Sequence, residues 1–368
     1  MSLSLDARFE LIEGGQVFTA ADLRARAETT TSLAIAEGDQ PVADLIAALI
    51  ATQANGTDLF VQRNFSADIP VPDQSGRVWL QTSGTTGTPK WAGHDLAKLT
   101  QKIAAGSGAK ARWLLTYHPF SFAGVQVVLS ALIGGHTLIA PPLNASVGDM
   151  AVLAEVTQPT HISGTPTFWR AFLMAAPDLD LKGVTLGGEA TDQGLLDALR
   201  TRFPNAHIRH IYATTEAGVV FTVSDGKAGF PAAWLNDTLA ITEHNTLNVD
   251  GRDTNDAVII DDDRVLFRGR LDSMVNIGGV KVFPEEVEAY LLTCPVVRDV
   301  RISARPNPIT GHILTAEIAL DLSADEGEVR AQIKAHINAL PRAQRPVSLA
   351  FVAAIPYGET GKKSRAAS

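Results

Sequence analysis

The chain has 368 residues, 45% hydrophobic and 19% charged, with a formal net charge of −9; this is ordinary globular usage at a length that allows two domains, and the acidic balance argues against a general nucleic-acid surface. No apolar run approaches the roughly 18 residues a spanning helix needs, and the start around Asp6 and Glu10 does not read as a secretory signal. A single cysteine, Cys294, excludes an intrachain disulfide, so the expectation is a soluble, cytoplasmic chain in a reducing compartment.

In chain order, residues 33–62 read as strand, helix (41–54) and strand, one βαβ unit. Next comes the apolar run Val78-Trp79-Leu80, followed directly by Gln81-Thr-Ser-Gly-Thr-Thr-Gly-Thr-Pro-Lys90, in which no residue carries a large apolar side chain. Such a loop suits phosphate. Gly84 and Gly87 let backbone N–H groups turn toward an anion, Thr82, Ser83, Thr85 and Thr86 add hydroxyl donors, and Lys90 adds positive charge. It is not a Walker A loop, because Lys90 follows Pro89 and precedes Trp91, and it has no Gly-x-Gly-x-x-Gly.

Further along, the spacing predicts strands at 112–117, 136–140, 160–163, 184–186 and 208–212, with helices at 123–133, 166–174 and 192–203 between them. Residues 219–267 hold short strand-like pieces around the polar turns at Asn236, Asn245 and Asp261, a β-rich subdomain. Beyond Arg270 the pattern becomes a helix (284–293), two strands (296–303 and 312–320), a helix (326–340) and a strand (347–352), a small α+β domain. The expected boundary is Leu271–Asp272.

The segment Thr82–Lys90 resembles the phosphate loop of the adenylate-forming, AMP-binding enzymes, and further motifs follow in that family's order. Gly187-Gly188-Glu189-Ala190 resembles the adenine-binding turn, and Tyr212-Ala213-Thr214-Thr215-Glu216 the Tyr-Gly-x-Thr-Glu motif, with Ala213 where glycine is usual. Arg268-Gly269-Arg270-Leu271-Asp272, running on to Gly278-Gly279 and Pro284-Glu285-Glu286, is similar to the hinge and its following helix. Pro356-Tyr-Gly-Glu-Thr-Gly-Lys362-Lys-Ser-Arg365 is similar to the C-terminal lysine motif. The resemblance covers residues 77–368 and implies an α/β fold. A large N-terminal adenylation core, residues 1–270, carries sheets flanked by helices plus the β-rich subdomain. A small mobile α+β C-terminal domain, residues 271–368, carries the catalytic lysine.

Activity follows from the same resemblance: an acid–thiol ligase of the acyl- or aryl-CoA synthetase type, using ATP, Mg²⁺ and CoA. Lys362, chosen over Lys363 by its spacing to Pro356 and Arg365, is implied to reach the α-phosphate and the substrate carboxylate. Thr215 is implied to bond the α-phosphate and Glu216 to hold the metal, a hard oxygen ligand for a phosphate-bound cation. Tyr212 would stack on adenine, with Gly188, Glu189 and Ala190 beside it. Asp256 and Arg270 would face the ribose, with Asn255 replacing the usual glycine of a Thr-Gly-Asp motif. Asp272 marks the hinge, and Gly278 and Gly279 the thiol tunnel.

Amino-acid-activating relatives carry an aspartate where this chain reads Phe122-Ala123-Gly124, so an α-amino acid is not expected. Phe120, Phe122, Ala123, Gly164 and Thr165 are the expected pocket walls, and fatty, aryl and alicyclic acids stay open. The thiol acceptor is CoA or the phosphopantetheine of a separate carrier protein. A degenerate nucleotide- or acyl-binding protein is the alternative class. Only about eighty residues precede the phosphate loop, fewer than full-length relatives carry, and a homodimer covering the exposed flank is the expectation.

Overall fold

Where apolar residues recur every three or four positions, this chain forms helices that bury one stripe, and where they alternate or cluster briefly, it forms strands. The computed structural model describes residues 5–30, 34–35, 40–62, 76–82, 90–103, 108–214, 217–320 and 326–355. The elements begin with β1 (Glu10–Glu13), β2 (Gln16–Thr19), α1 (Ala20–Glu28), β3 (Ala34–Ile35), α2 (Val42–Asn55), β4 (Leu59–Val61), β5 (Arg77–Thr82), β6 (Lys90–Asp95) and α3 (Leu96–Thr100). Then come β7 (Arg112–Leu115), α4 (Phe122–Gly134), β8 (Thr137–Ala140), α5 (Val147–Thr157), β9 (His161–Gly164), α6 (Pro166–Ala175), β10 (Gly183–Gly187), α7 (Gln193–Arg202), β11 (His207–Thr214) and β12 (Gly218–Val223). The rest is β13 (Phe230–Pro231), β14 (Leu239–Ile241), β15 (Thr246–Val249), β16 (Arg252–Asp261), β17 (Arg264–Arg270), β18 (Val275–Ile277), β19 (Val280–Val282), α8 (Pro284–Leu291), β20 (Val297–Asn307), β21 (Gly311–Leu320), α9 (Glu326–Ala339) and β22 (Ser348–Val352).

Two compact units divide the chain, residues 1–188 with 200–222, and residues 189–199 with 223–368. The first holds an eight-stranded sheet in the order β12-β11-β10-β9-β7-β8-β1-β2 and a four-stranded sheet in the order β3-β4-β5-β6. The run β11-β10-β9-β7-β8-β1 is parallel throughout, and helices make the crossovers. The expected βαβ unit is present, since β3 pairs parallel with β4 across α2. In α2, Val42, Leu45, Ile46 and Leu49 form one buried stripe, and Gly56 closes the helix in the left-handed region at φ 63°. That stripe belongs to one core with Leu59, Val61, Val78 and Leu80 from one sheet, Trp113, Leu115 and Leu138 from the other, and the apolar side of α4. The α/β expectation holds.

One boundary is corrected. Gln81, Thr82 and Lys90 are strand residues rather than loop, because Gln81 faces Trp91 and Thr82 faces Lys90 in an antiparallel hairpin. Residues 83–89, the body of the phosphate loop, lie outside the described residues. The β1–β2 hairpin, α1 and α5 were not anticipated. Both helices open with capping boxes, Thr19 with Asp22 and Ser146 with Asp149, in which hydroxyl and carboxylate each satisfy a free N–H of the first turn.

The second unit holds a five-stranded antiparallel sheet, β13-β17-β16-β15-β14, followed by the order β19-β18-β21-β20 with β22 added parallel to β21. Its second core joins Val287 and Leu291 of α8, Val329 and Ile333 of α9, and Val300, Ile302, Leu314 and Ile318 of the long β20–β21 ladder. Glu288 is buried there because its carboxylate accepts the N–H of Ile302 at 2.8 Å. The helices and strands expected after Arg270 all appear, with ends shifted by a few residues.

Candidate active site

Parallel strands with right-handed crossovers point their C-terminal ends the same way, and open α/β sheets place ligands at that edge. In the first unit this edge carries Tyr117 after β7, Gly164-Thr165 at the end of β9, Gly187-Gly188 at the end of β10, and Tyr212 to Thr214 at the end of β11. Two side chains tie the strand ends together: Thr116 Oγ1 donates to the carbonyl of Ser163 at 2.5 Å, and Tyr117 Oη donates to the carbonyl of Gly187 at 3.2 Å. Tyr212 stacks on Phe221 of β12 with ring centroids 5.2 Å apart. Thr215, Glu216 and Lys362 lie outside the described residues, so their placement is not part of this geometry.

The expected pocket residues divide by burial. Phe120 is fully buried within the first core. Phe122, the first residue of α4, is partly buried and meets the His94 ring of β6 at 5.7 Å. Thr165 is the N-cap of α6, its hydroxyl accepting the N–H of Phe168 at 3.0 Å with Pro166 in the first turn. Ser121 does the same for α4, accepting the Gly124 N–H at 3.0 Å. No acidic residue stands in the first turn of α4, where Ala123 sits.

Gly124 is there for space: a Cβ would lie 2.1 Å from the carbonyl oxygen of His118 and 2.9 Å from the Cα of Pro119. Both neighbours are backbone and cannot yield like a side chain. Gly124→Ala is therefore expected to destabilise the first unit by about 3 kcal/mol, read as a lower urea midpoint. An unchanged midpoint would show that the turn at His118 relaxes freely.

In the second unit, Asp256 and Arg270 are paired across β16 and β17, with Arg270 Nη1 3.4 Å from Asp256 Oδ1 and its Nε 3.0 Å from Asp272 Oδ1. Thus the two ribose candidates and the hinge candidate form one cluster. Asn255 beside them has φ 59°, the left-handed region that explains why it stands where glycine is usual, since asparagine is the side chain that enters this region most easily. Asn255→Val is expected to cost about 1–3 kcal/mol and Asn255→Gly almost nothing; equal urea midpoints for the two variants would refute the strain argument.

Around the hinge candidate, Arg268 pairs with Glu286 of α8 through two hydrogen bonds, one of them Nη2 to Oε2 at 2.9 Å, and covers the Phe283 ring at 5.0 Å. That contact joins the strand before Asp272 to the helix after it. Gly278 and Gly279 have φ 59° and 89° and form the two-residue turn of the β18–β19 hairpin, with Ile277 opposite Val280. The motif reading gives Gly278 and Gly279 a place at the thiol tunnel but no hairpin, and gives Arg268 no role; its partner sits 18 residues on, a spacing no local pattern reveals.

A family model described as AMP-binding enzyme matches residues 17–253. The chain belongs to the AMP-binding enzyme family. This AMP-binding enzyme is 28% identical over 330 residues to a probable 2-succinylbenzoate–CoA ligase of Mycobacterium tuberculosis (strain CDC 1551 / Oshkosh), covering 80% of this chain and 84% of that one. It is 24% identical over 350 residues to a D-alanine–D-alanyl carrier protein ligase of Staphylococcus aureus (strain JH9), covering 81% and 72%. Its fold is similar to that of an anthranilate–CoA ligase solved in complex with anthranoyl-AMP, with TM-score 0.73 at 15% identity over 96% of this chain and 92% of that chain. Among the described residues no helix is long and apolar enough to cross a membrane, and no cluster of His, Cys, Asp and Glu forms a metal site.

Proposed function

We propose that this enzyme activates a non-amino carboxylic acid with ATP and passes the acyl group to the thiol of CoA. In the first step a carboxylate oxygen attacks the α-phosphorus, an acyl–AMP mixed anhydride forms, and pyrophosphate leaves. In the second step the thiol sulfur attacks the acyl carbon, AMP leaves, and the thiol proton passes to solvent. The first transition state is crowded and strongly negative, which is what the hydroxyls and N–H groups of 82–87, Lys90 and Lys362 would meet with donors and charge. Thr215 would bond the α-phosphate, and Glu216 would hold Mg²⁺, which adds charge to the leaving phosphates. Asp256 and Arg270 would take the ribose hydroxyls, and Tyr212 the adenine. The pivot between the two half-reactions would be Leu271–Asp272, with Gly278 and Gly279 beside the incoming thiol.

The observation that carries the non-amino reading is Ala123 in the first turn of α4, where neither a carboxylate nor any other acidic side chain is present to hold an ammonium; the helix's own positive N-terminal end opposes one as well. Pyrophosphate release over a panel of carboxylic acids, with and without CoA, tests both steps. Release with at least one non-amino acid, and thioester only when CoA is added, is expected. Release only with amino acids would overturn the reading, and thioester only on a carrier-protein phosphopantetheine would move the acceptor to a carrier. A cytoplasmic homodimer is part of the same proposal. Light scattering at micromolar concentration should give twice the mass of 39.1 kDa.

A further inference from the structure

A partly buried cation with no counter-charge among the described residues stands on the parallel sheet of the first unit. Arg209 lies within β11 and is only partly exposed. Its guanidinium makes one hydrogen bond among the described residues, from Nε to Thr185 Oγ1 at 3.0 Å, on the residue opposite it in β10. No carboxylate pairs with it among the described residues, and burial alone lowers its ordinary value. His161 of β9 is lowered to about 4, by burial first and then by the positive charge of His136 and Arg209. It is neutral at pH 7. Burial also holds His136 below its ordinary value, so at pH 7 the lasting positive charge named at His161 is that of Arg209. An unpaired charge taken out of water is expensive, and proteins keep one where a ligand supplies the partner.

The strand geometry shows where such a ligand would run. Arg209 faces Thr185, Ile211 faces Gly187, and Thr185 faces Ser163, so these residues share one face of the sheet. Toward the C-terminal edge, Gly187 contributes no side chain, and Tyr117 Oη rests on its carbonyl. A strip therefore leads from the guanidinium to the strand ends. The rise from Arg209 to Thr214 is roughly 16 Å at 3.3 Å per residue.

We propose that Arg209 anchors a second anionic group of the acid that this enzyme activates, so that the substrate class is a dicarboxylic acid, or an acid with an equivalent distal anion, whose two ends lie roughly 10–15 Å apart. With Nε committed to Thr185, the two terminal nitrogens are left to grip a carboxylate, a geometry lysine cannot reproduce. The inference rests on the acid-activating reading above. Arg209 is a specificity residue here and takes no part in bond making.

The test measures pyrophosphate release with linear dicarboxylic acids of graded length and with aryl dicarboxylic acids, each against its mono-methyl ester, for the natural protein, Arg209→Gln and Arg209→Lys. A dicarboxylate of matching length should exceed its ester in kcat/KM by about 10- to 100-fold, the worth of a charge-assisted hydrogen-bonded pair. Arg209→Gln should erase that advantage through KM with kcat nearly unchanged, and Arg209→Lys should keep part of it. Equal use of acid and ester by the natural protein, or an equal loss on both in Arg209→Gln, would overturn the proposal while leaving acid activation standing. If no acid releases pyrophosphate, the activity reading fails, and binding decides the anion site by itself. Trp113 stacks on His161 at 5.0 Å and reports on this face. Salt-sensitive fluorescence titration by the same dicarboxylates, lost in a folded Arg209→Gln, would support the anchor; identical titrations would remove it.

Discussion

Replacing Lys362 with alanine is expected to lower adenylate formation by about 10²–10³-fold or more, while transfer of a synthetic acyl-adenylate to CoA changes little. The asymmetry follows from timing. Positive charge at the α-phosphate counts most while the crowded phosphorus centre forms and pyrophosphate leaves; in the thiol step the bond to phosphorus stays intact and only the departing AMP oxygen gains charge. ATP–pyrophosphate exchange reads the first step, and thioester formation from the synthetic adenylate reads the second. An equal loss in both would mean that Lys362 supports the protein generally, and loss in Lys363→Ala instead would show that the spacing to Pro356 and Arg365 was misjudged.

Proline at Asp272 should do the reverse, slowing thiol transfer about tenfold or more while adenylation continues. Residues 271–273 form a short 3₁₀ turn between β17 and β18, and proline would fix one of the few bonds about which the chain could swing there. Asp272 also pairs with Arg270, so Asp272→Ala is the necessary control: it removes the carboxylate but leaves the rotation. If alanine slows transfer as much as proline does, the ion pair matters and the pivot lies elsewhere.

The parts of this fold that could be read from sequence are those whose pattern is local. Helix α4 is apolar almost all round and closes on Gly135 in the left-handed region, and β20 and β21 bury alternate residues in their middles, Val300 and Ile302 in one and Leu314, Ala316 and Ile318 in the other. By contrast, β1 and β2 have four residues each, too few to establish a period, although the Thr19–Asp22 capping box could have announced α1. Among the candidate site residues, motif spacing marks Ala123, Asp256 and Arg270, whose roles belong to the proposal. It does not mark Arg209, since an arginine in a strand looks like any outward-facing residue. Only the register sets it opposite Thr185, with no carboxylate paired to it among the described residues. Asn255 looked like a defect in a motif until its φ of 59° explained it.

The edge of the larger sheet has a consequence for how the protein is made. Glu10 of β1 lies opposite Thr137 of β8, and Lys110 Nζ reaches Glu10 at 2.6 Å, so β1 pairs in parallel with a strand made much later than itself. Loop closure costs grow slowly with length, but long-range parallel pairing is slow to form. Until β8 emerges, β1 has β2 as its strand partner and only the start of α2, whose Val42 and Ala43 N–H groups bond Glu13, beside it, and a two-stranded hairpin is marginal in water. Nascent chains should therefore hold their N-terminal segment protease-sensitive until synthesis has passed Ala140. Chains that lose that segment would finish with the backbone of β8 open to pairing with a neighbour, a route to aggregation.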